Sequence, residues 1–77
     1  MTKEEFLKEM DWFTAYYDTK LNPTKARVWF NHFEECETPL FHRALDLHIH
    51  TDEYDTFPAL GKIAKQYKQI MPKRYMP

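Results

Sequence analysis

Apolar residues recur along this chain at intervals of three and four in four separate stretches, and no stretch alternates cleanly over more than a few residues. That pattern predicts helices and no strands. The first helix is expected from about Thr2 to Asp18, with Phe6, Met10, Phe13 and Tyr17 in one stripe. Thr2 followed by Glu5 reads as a capping box, each side chain satisfying an amide that the first turn leaves unpaired. Lys3, Glu4, Lys8, Glu9 and Asp11 keep the rest of that helix in water, while Trp12 and Tyr16 form an i,i+4 aromatic pair off the stripe. Asn22-Pro23 starts the second helix, Asn as N-cap and Pro where its fixed φ and missing amide cost nothing. Its stripe is Ala26, Trp29, Phe30, Phe33 and Cys36. It runs into Glu34, Glu35 and Glu37, acids that oppose the dipole at a helix C-terminus, so it either finds compensation there or stops early.

Thr38-Pro39 repeats the start signal for a third helix, with Leu40, Phe41, Ala44, Leu45, Leu47 and His48 forming a wide apolar arc that fades near Thr51. Residues 51–56 are polar and acidic and read as a loop. Phe57-Pro58 then leads a fourth helix, with Leu60, Ile63, Ala64, Tyr67 and Ile70 inward and Lys62, Lys65 and Lys68 outward. Pro72 ends it. The fold class is therefore all-α, a small compact bundle of about four short helices over residues 1–71, with residues 72–77 as a frayed tail. Phe6, Met10, Phe13, Trp29, Phe33, Ala44, Leu45, Ile63 and Tyr67 are the expected core.

With 77 residues, the chain is too short for a two-domain enzyme or a nucleotide-binding α/β sheet. Six Phe, five Tyr and two Trp supply the bulk that the length denies, and a single Gly argues against a hairpin-rich β fold. The net charge of −1 conceals a split: residues 1–57 hold six Lys/Arg and all twelve Asp/Glu, whereas residues 58–77 hold five Lys/Arg and no acid. An acidic body with a basic end fits a protein partner at least as well as nucleic acid, which calls for a broad basic face. One cysteine, Cys36, permits no internal disulfide, and with no apolar run of membrane length the expected location is the cytoplasm.

His48 and His50, with Asp46, Asp52, Glu53 and Asp55, are the densest set of candidate metal ligands. On a helix, however, residues 48 and 50 point about 200° apart. His32 and Cys36 have ligand spacing but lack a second pair to complete a tetrahedral site. Cys36 is no candidate nucleophile, because Glu34, Glu35 and Glu37 around it raise a thiol pKa instead of lowering it. No phosphate loop, nucleophile elbow or zinc-protease signature occurs. The reading is a non-enzyme with neither metal nor cofactor. For nucleic acid the candidates are Lys62, Lys65, Lys68, Lys73 and Arg74 with Tyr67 and Tyr75; the alternative is a solvated helix face.

In order, Met1-Thr-Lys-Glu-Glu leads a helix ending near Tyr16-Tyr17, and Val28-Trp29-Phe30 and Phe33 lie on the next. Arg43-Ala44-Leu45-Asp46-Leu47-His48-Ile49-His50-Thr51 ends the third, and Thr56-Phe57-Pro58 enters the fourth with Ile63. Over residues 1–70 this resembles the folded N-terminal domain of phage helicase-loader and helicase-inhibitor proteins of Gram-positive hosts. Ala59-Leu60-Gly61 stands where that family has Pro-Thr, and loader members carry a longer C-terminal segment. The resemblance implies an all-helical phage or prophage replication adaptor that contacts the replicative helicase or a helicase-loader ATPase; a weak nucleic-acid contact is expected only from the basic residues of the fourth helix and tail. The resemblance carries over no binding residue. Partner-binding candidates come instead from exposure: Trp12, Tyr16, Tyr54 and Tyr75 fall outside the core stripes, and Tyr and Trp near a surface often anchor interfaces. Trp12 and Tyr16, rimmed by Glu9 and Lys20, form one expected contact face, and Lys62, Lys65 and Lys68 the other. The alternative for Trp12 is that it covers the open side of a thin bundle.

Overall fold

A computed structural model describes residues 1–51 and 56–71. Among these residues four helices follow in order: α1 (Lys3–Tyr16), α2 (Pro23–Phe33), α3 (Thr38–Thr51) and α4 (Leu60–Ile70). No strand occurs among the described residues. The acidic segment after Thr51, Tyr54 in it, and the tail from Pro72 that holds Lys73, Arg74 and Tyr75 lie outside them.

Helix boundaries follow local chemistry. The capping box forms as a reciprocal pair: the Thr2 N–H donates to Glu5 Oε1 at 2.8 Å, and the Glu5 N–H donates to Thr2 Oγ1 at 3.1 Å. α1 stops at Tyr16, two residues before Asp18. Asp18 takes a left-handed φ of 52°; its N–H bonds to the Ala15 carbonyl and the Thr19 N–H to the Thr14 carbonyl. These are the two bonds of a Schellman cap, built on an Asp, one of the few non-glycine residues that enter this region readily. Asn22 Oδ1 caps α2 by accepting from the Lys25 N–H at 2.7 Å.

The acids beyond Phe33 end α2 early, so Cys36 lies past the helix and not on its stripe. The amino group of Met1 donates to the Glu34 carbonyl at 2.8 Å, a positive group beside the unpaired carbonyls of that helix end. Thr38 is the first residue of α3, so the helix starts one position earlier than a Thr38 cap implies. α4 begins at Leu60, with Ala59 at its N-cap making no side-chain bond.

The core is a lattice of rings. Phe6, Phe13, Trp29, Phe33 and Phe41 are buried with Met10, Ala44, Leu45 and Ile63. Phe33 and Phe41 lie 4.9 Å apart centroid to centroid, and Phe6 meets Phe30 edge-on at 5.4 Å. Phe57, half-buried, sits 5.5 Å from both Phe13 and Trp29, and so ties the chain ahead of α4 to α1 and α2. Lys25 Nζ lies 5.3 Å over the same ring. Of the expected core, Tyr67 packs only at the edge, its hydroxyl accepting from the Glu37 N–H at 3.2 Å.

The backbones of α3 and α4 pack closest, whereas α1 and α2 stay apart along most of their length.

Candidate functional site

Trp12 and Tyr16 are on the surface, 39% and 57% exposed, against the general burial of aromatic rings here. The two do not stack on one another. The Trp12 indole lies 4.6 Å from the His42 ring at an interplanar angle of 34°, and Tyr16 meets Tyr17 edge-on at 5.1 Å. Glu9 Oε1 contacts His42 Nδ1 at 2.5 Å, so Glu9, Trp12 and His42 form one cluster bridging α1 to α3. Trp12 therefore both covers the α1–α3 seam and keeps an open edge. Glu9 rims this face as expected. Lys20 does not; it lines a groove between α1 and α2 instead. His42 is the member that sequence reasoning missed, because it sits 30 residues from Trp12 on another helix and no local spacing links them.

Lys62, Lys65 and Lys68 are exposed on α4, as the spacing implies. Lys62 and Lys65 share a shallow cleft with Gln66 and with His48 and Thr51 at the end of α3; Lys68 stands outside it.

The histidine cluster separates. His48 is buried, its ring 6.4 Å from that of Phe13, while exposed His50 places Nδ1 2.8 Å from the Asp46 carbonyl oxygen and 3.5 Å from Asp46 Oδ1. Among the described residues no three His, Cys, Asp or Glu side chains converge as ligands for one ion. His32 packs edge-on against Phe33 at 4.9 Å, and with α2 ended Cys36 is no longer its i,i+4 helical partner.

The Cys36 thiol is held above its ordinary pKa, first by burial, with the Glu35 charge only a small addition. The direction matches the expectation and the cause does not: burial leads, not the acid cluster. The Tyr67 hydroxyl is likewise raised, mainly by burial. Glu5 is lowered, chiefly by the Thr2 N–H. A thiol kept protonated is inert toward nucleophilic chemistry.

No described helix is long and apolar enough to cross a membrane. Comparison with protein-family models, curated proteins and solved structures returns no match.

Proposed function

We propose that this domain is a phage or prophage DNA-replication adaptor that binds the replicative helicase or its loader ATPase, acting by protein contact rather than by catalysis. The observation that carries the reading is the half-open Trp12–His42–Glu9 cluster, with Tyr16 beside it, on a domain that buries most of its other rings. A large aromatic ring held in place by a neighbour, with one edge free, loses little conformational freedom on binding and is the residue type most enriched at interface centres. The resemblance of the motif order to that of phage helicase loaders and inhibitors supports the choice of partner. Residues of those motifs that lie in the core here, Trp29, Phe33, Ala44 and Leu45, serve the fold and leave the contact to surface residues.

The test is a titration of purified Gram-positive replicative helicase and loader ATPase against wild type and Trp12→Ala. Binding should weaken at least tenfold, about 1.4 kcal/mol, with the helical circular-dichroism spectrum retained. Unchanged binding by a folded variant would place the contact elsewhere.

A second reading, a small DNA-binding domain, draws on the three exposed lysines and the absence of any acid on α4. It differs in requiring an affinity that falls steeply with salt. The protein-contact reading requires a shallow dependence.

A further inference from the structure

α1 and α2 are held apart by the rings of Phe6 and Phe30, and the space left between the helices is a groove open to solvent. One compartment, about 400 Å³, is floored by Phe6, Ala26 and Phe30 and walled by Leu7, which is 44% exposed. A second, about 310 Å³, continues past Leu7 and Ala26 toward Met10 and Leu21. The first compartment alone falls in the range of about 300–1,000 Å³ typical of ligand sites.

The groove follows α1 from Lys3 to Thr14. At about 1.5 Å per residue that is about 16 Å, or three helical turns. Its rim carries Lys3, Arg27 and Lys20 against Asp11 alone, in the part of the chain that is otherwise strongly acidic. None of the three cations forms an ion pair among the described residues. Leu7 and Trp12 lie about 140° apart around α1, on opposite flanks of the Phe6–Met10–Phe13 stripe. The groove is thus a surface distinct from the Trp12 cluster.

We propose that the α1–α2 groove docks an acidic amphipathic helix of a partner protein, about three turns long. Its apolar side chains at i, i+4 and i+7 would enter the Phe6–Phe30 and Met10–Leu21 compartments on either side of Leu7. Its acids would meet Lys3, Arg27 and Lys20. Helix-in-groove recognition uses this spacing because those positions share one face. Charge complementarity selects an acidic helix over nucleic acid: duplex DNA presents one negative charge per about 1.7 Å, far denser than three cations along 16 Å, and gains nothing from a floor of buried rings. In taking the occupant to be a protein the proposal rests on the adaptor reading; the groove's shape and charge do not.

The experiment is an mRNA-display selection of a randomised 16-residue peptide library against the full chain, followed by fluorescence anisotropy with the enriched peptides. The expected winners carry net negative charge and apolar residues at i, i+4 and i+7. The double charge reversal Lys3→Glu with Arg27→Glu should weaken them at least tenfold. Trp12→Ala and Lys65→Glu should change their affinity less than twofold. Thermal melts of each variant check that the fold survives, and the exposed charge reversals keep the test decisive if Leu7→Glu unfolds. Basic or patternless winners, or winners insensitive to the reversals, overturn the proposal. So does a dimer in sedimentation velocity that Leu7→Glu dissolves, since a second copy would then be the occupant, and so does displacement of the peptides by a 20-bp duplex. If helicase and loader fail to bind but acidic helices are selected, the adaptor reading falls and the groove stands. If they bind but the selection yields basic or patternless peptides, the groove falls and the adaptor reading stands.

Discussion

Cys36 and Tyr67 meet where the turn between α2 and α3 touches α4, the Tyr67 hydroxyl accepting from the N–H of the adjoining Glu37. Both are raised in pKa, burial being the first cause in each case. The folded state therefore prefers the neutral thiol, and the unfolded chain releases its proton first. A raised acid pKa makes this contribution complete below the ordinary thiol value of about 8.5 and progressively lost above it. Tyr67 adds a loss of the same sign at still higher pH. The melting temperature of wild type should accordingly fall between pH 8 and 10.5, and the fall should be shallower in Cys36→Ala. Parallel curves for the two proteins would show that the thiol is not linked to folding. Asp18 is the other residue set by its surroundings: its φ of 52° exists to close the α1 cap, a conformation a β-branched side chain enters only at a cost of about 1–2 kcal/mol.

At the scale of the helix, the start of α1 depends on a two-bond cap that is exposed and local. Thr2→Ala removes the hydroxyl acceptor of the Glu5 N–H but keeps the backbone N–H of residue 2 that donates to Glu5 Oε1 and chiefly lowers the Glu5 pKa, so half of the box survives. The expected cost is about 1 kcal/mol, read as a lower denaturation midpoint with an unchanged slope. A change in slope would mean that the end of α1 organises more than its own first turn. α2 is the contrasting element. Its N-cap is strong, its C-terminal end is acidic, and it is only 11 residues long, so its persistence rests on Trp29 and Phe33 and not on propensity.

For the molecule as a whole, stability is concentrated in the ring lattice. Trp29 is 2% exposed and contacts Phe33 of its own helix and Phe57 ahead of α4. Removing the indole opens a cavity bounded by both, at an expected cost of about 3–5 kcal/mol. Small domains have only about 0.05–0.15 kcal/mol of stability per residue, so Trp29→Ala should leave this one largely unfolded. A cooperative melt near the wild-type temperature would contradict the packing described. A wild-type stability this narrow also means that surface variants used to map contacts need a folding control.

The amino-acid sequence by itself determined the four helices found among the described residues, their order, the starts of α1 and α2, and eight of the nine residues expected in the core. Those features follow from local chemistry: a 3.6-residue apolar period, a Thr2–Glu5 box and an Asn22-Pro23 cap, whereas the Phe57-Pro58 lead fell short of α4, which begins at Leu60 behind Ala59. Phe41 stood in the third arc but outside the expected core, and it proved fully buried, whereas Tyr67 packs only at the edge. The sequence could also pick out Trp12, Tyr16 and the lysines of α4 as surface residues, because each falls off a stripe. What each meets across the bundle was not legible. The pairing of Trp12 with His42, the separation of Lys20 from the Trp12 face, and the burial that raises Cys36 all depend on how helices distant in sequence sit against one another. The α1–α2 groove belongs to the same class. Leu7, Ala26 and Arg27 look unremarkable on their separate helices, and they share one surface only because the Phe6 and Phe30 rings hold those helices apart.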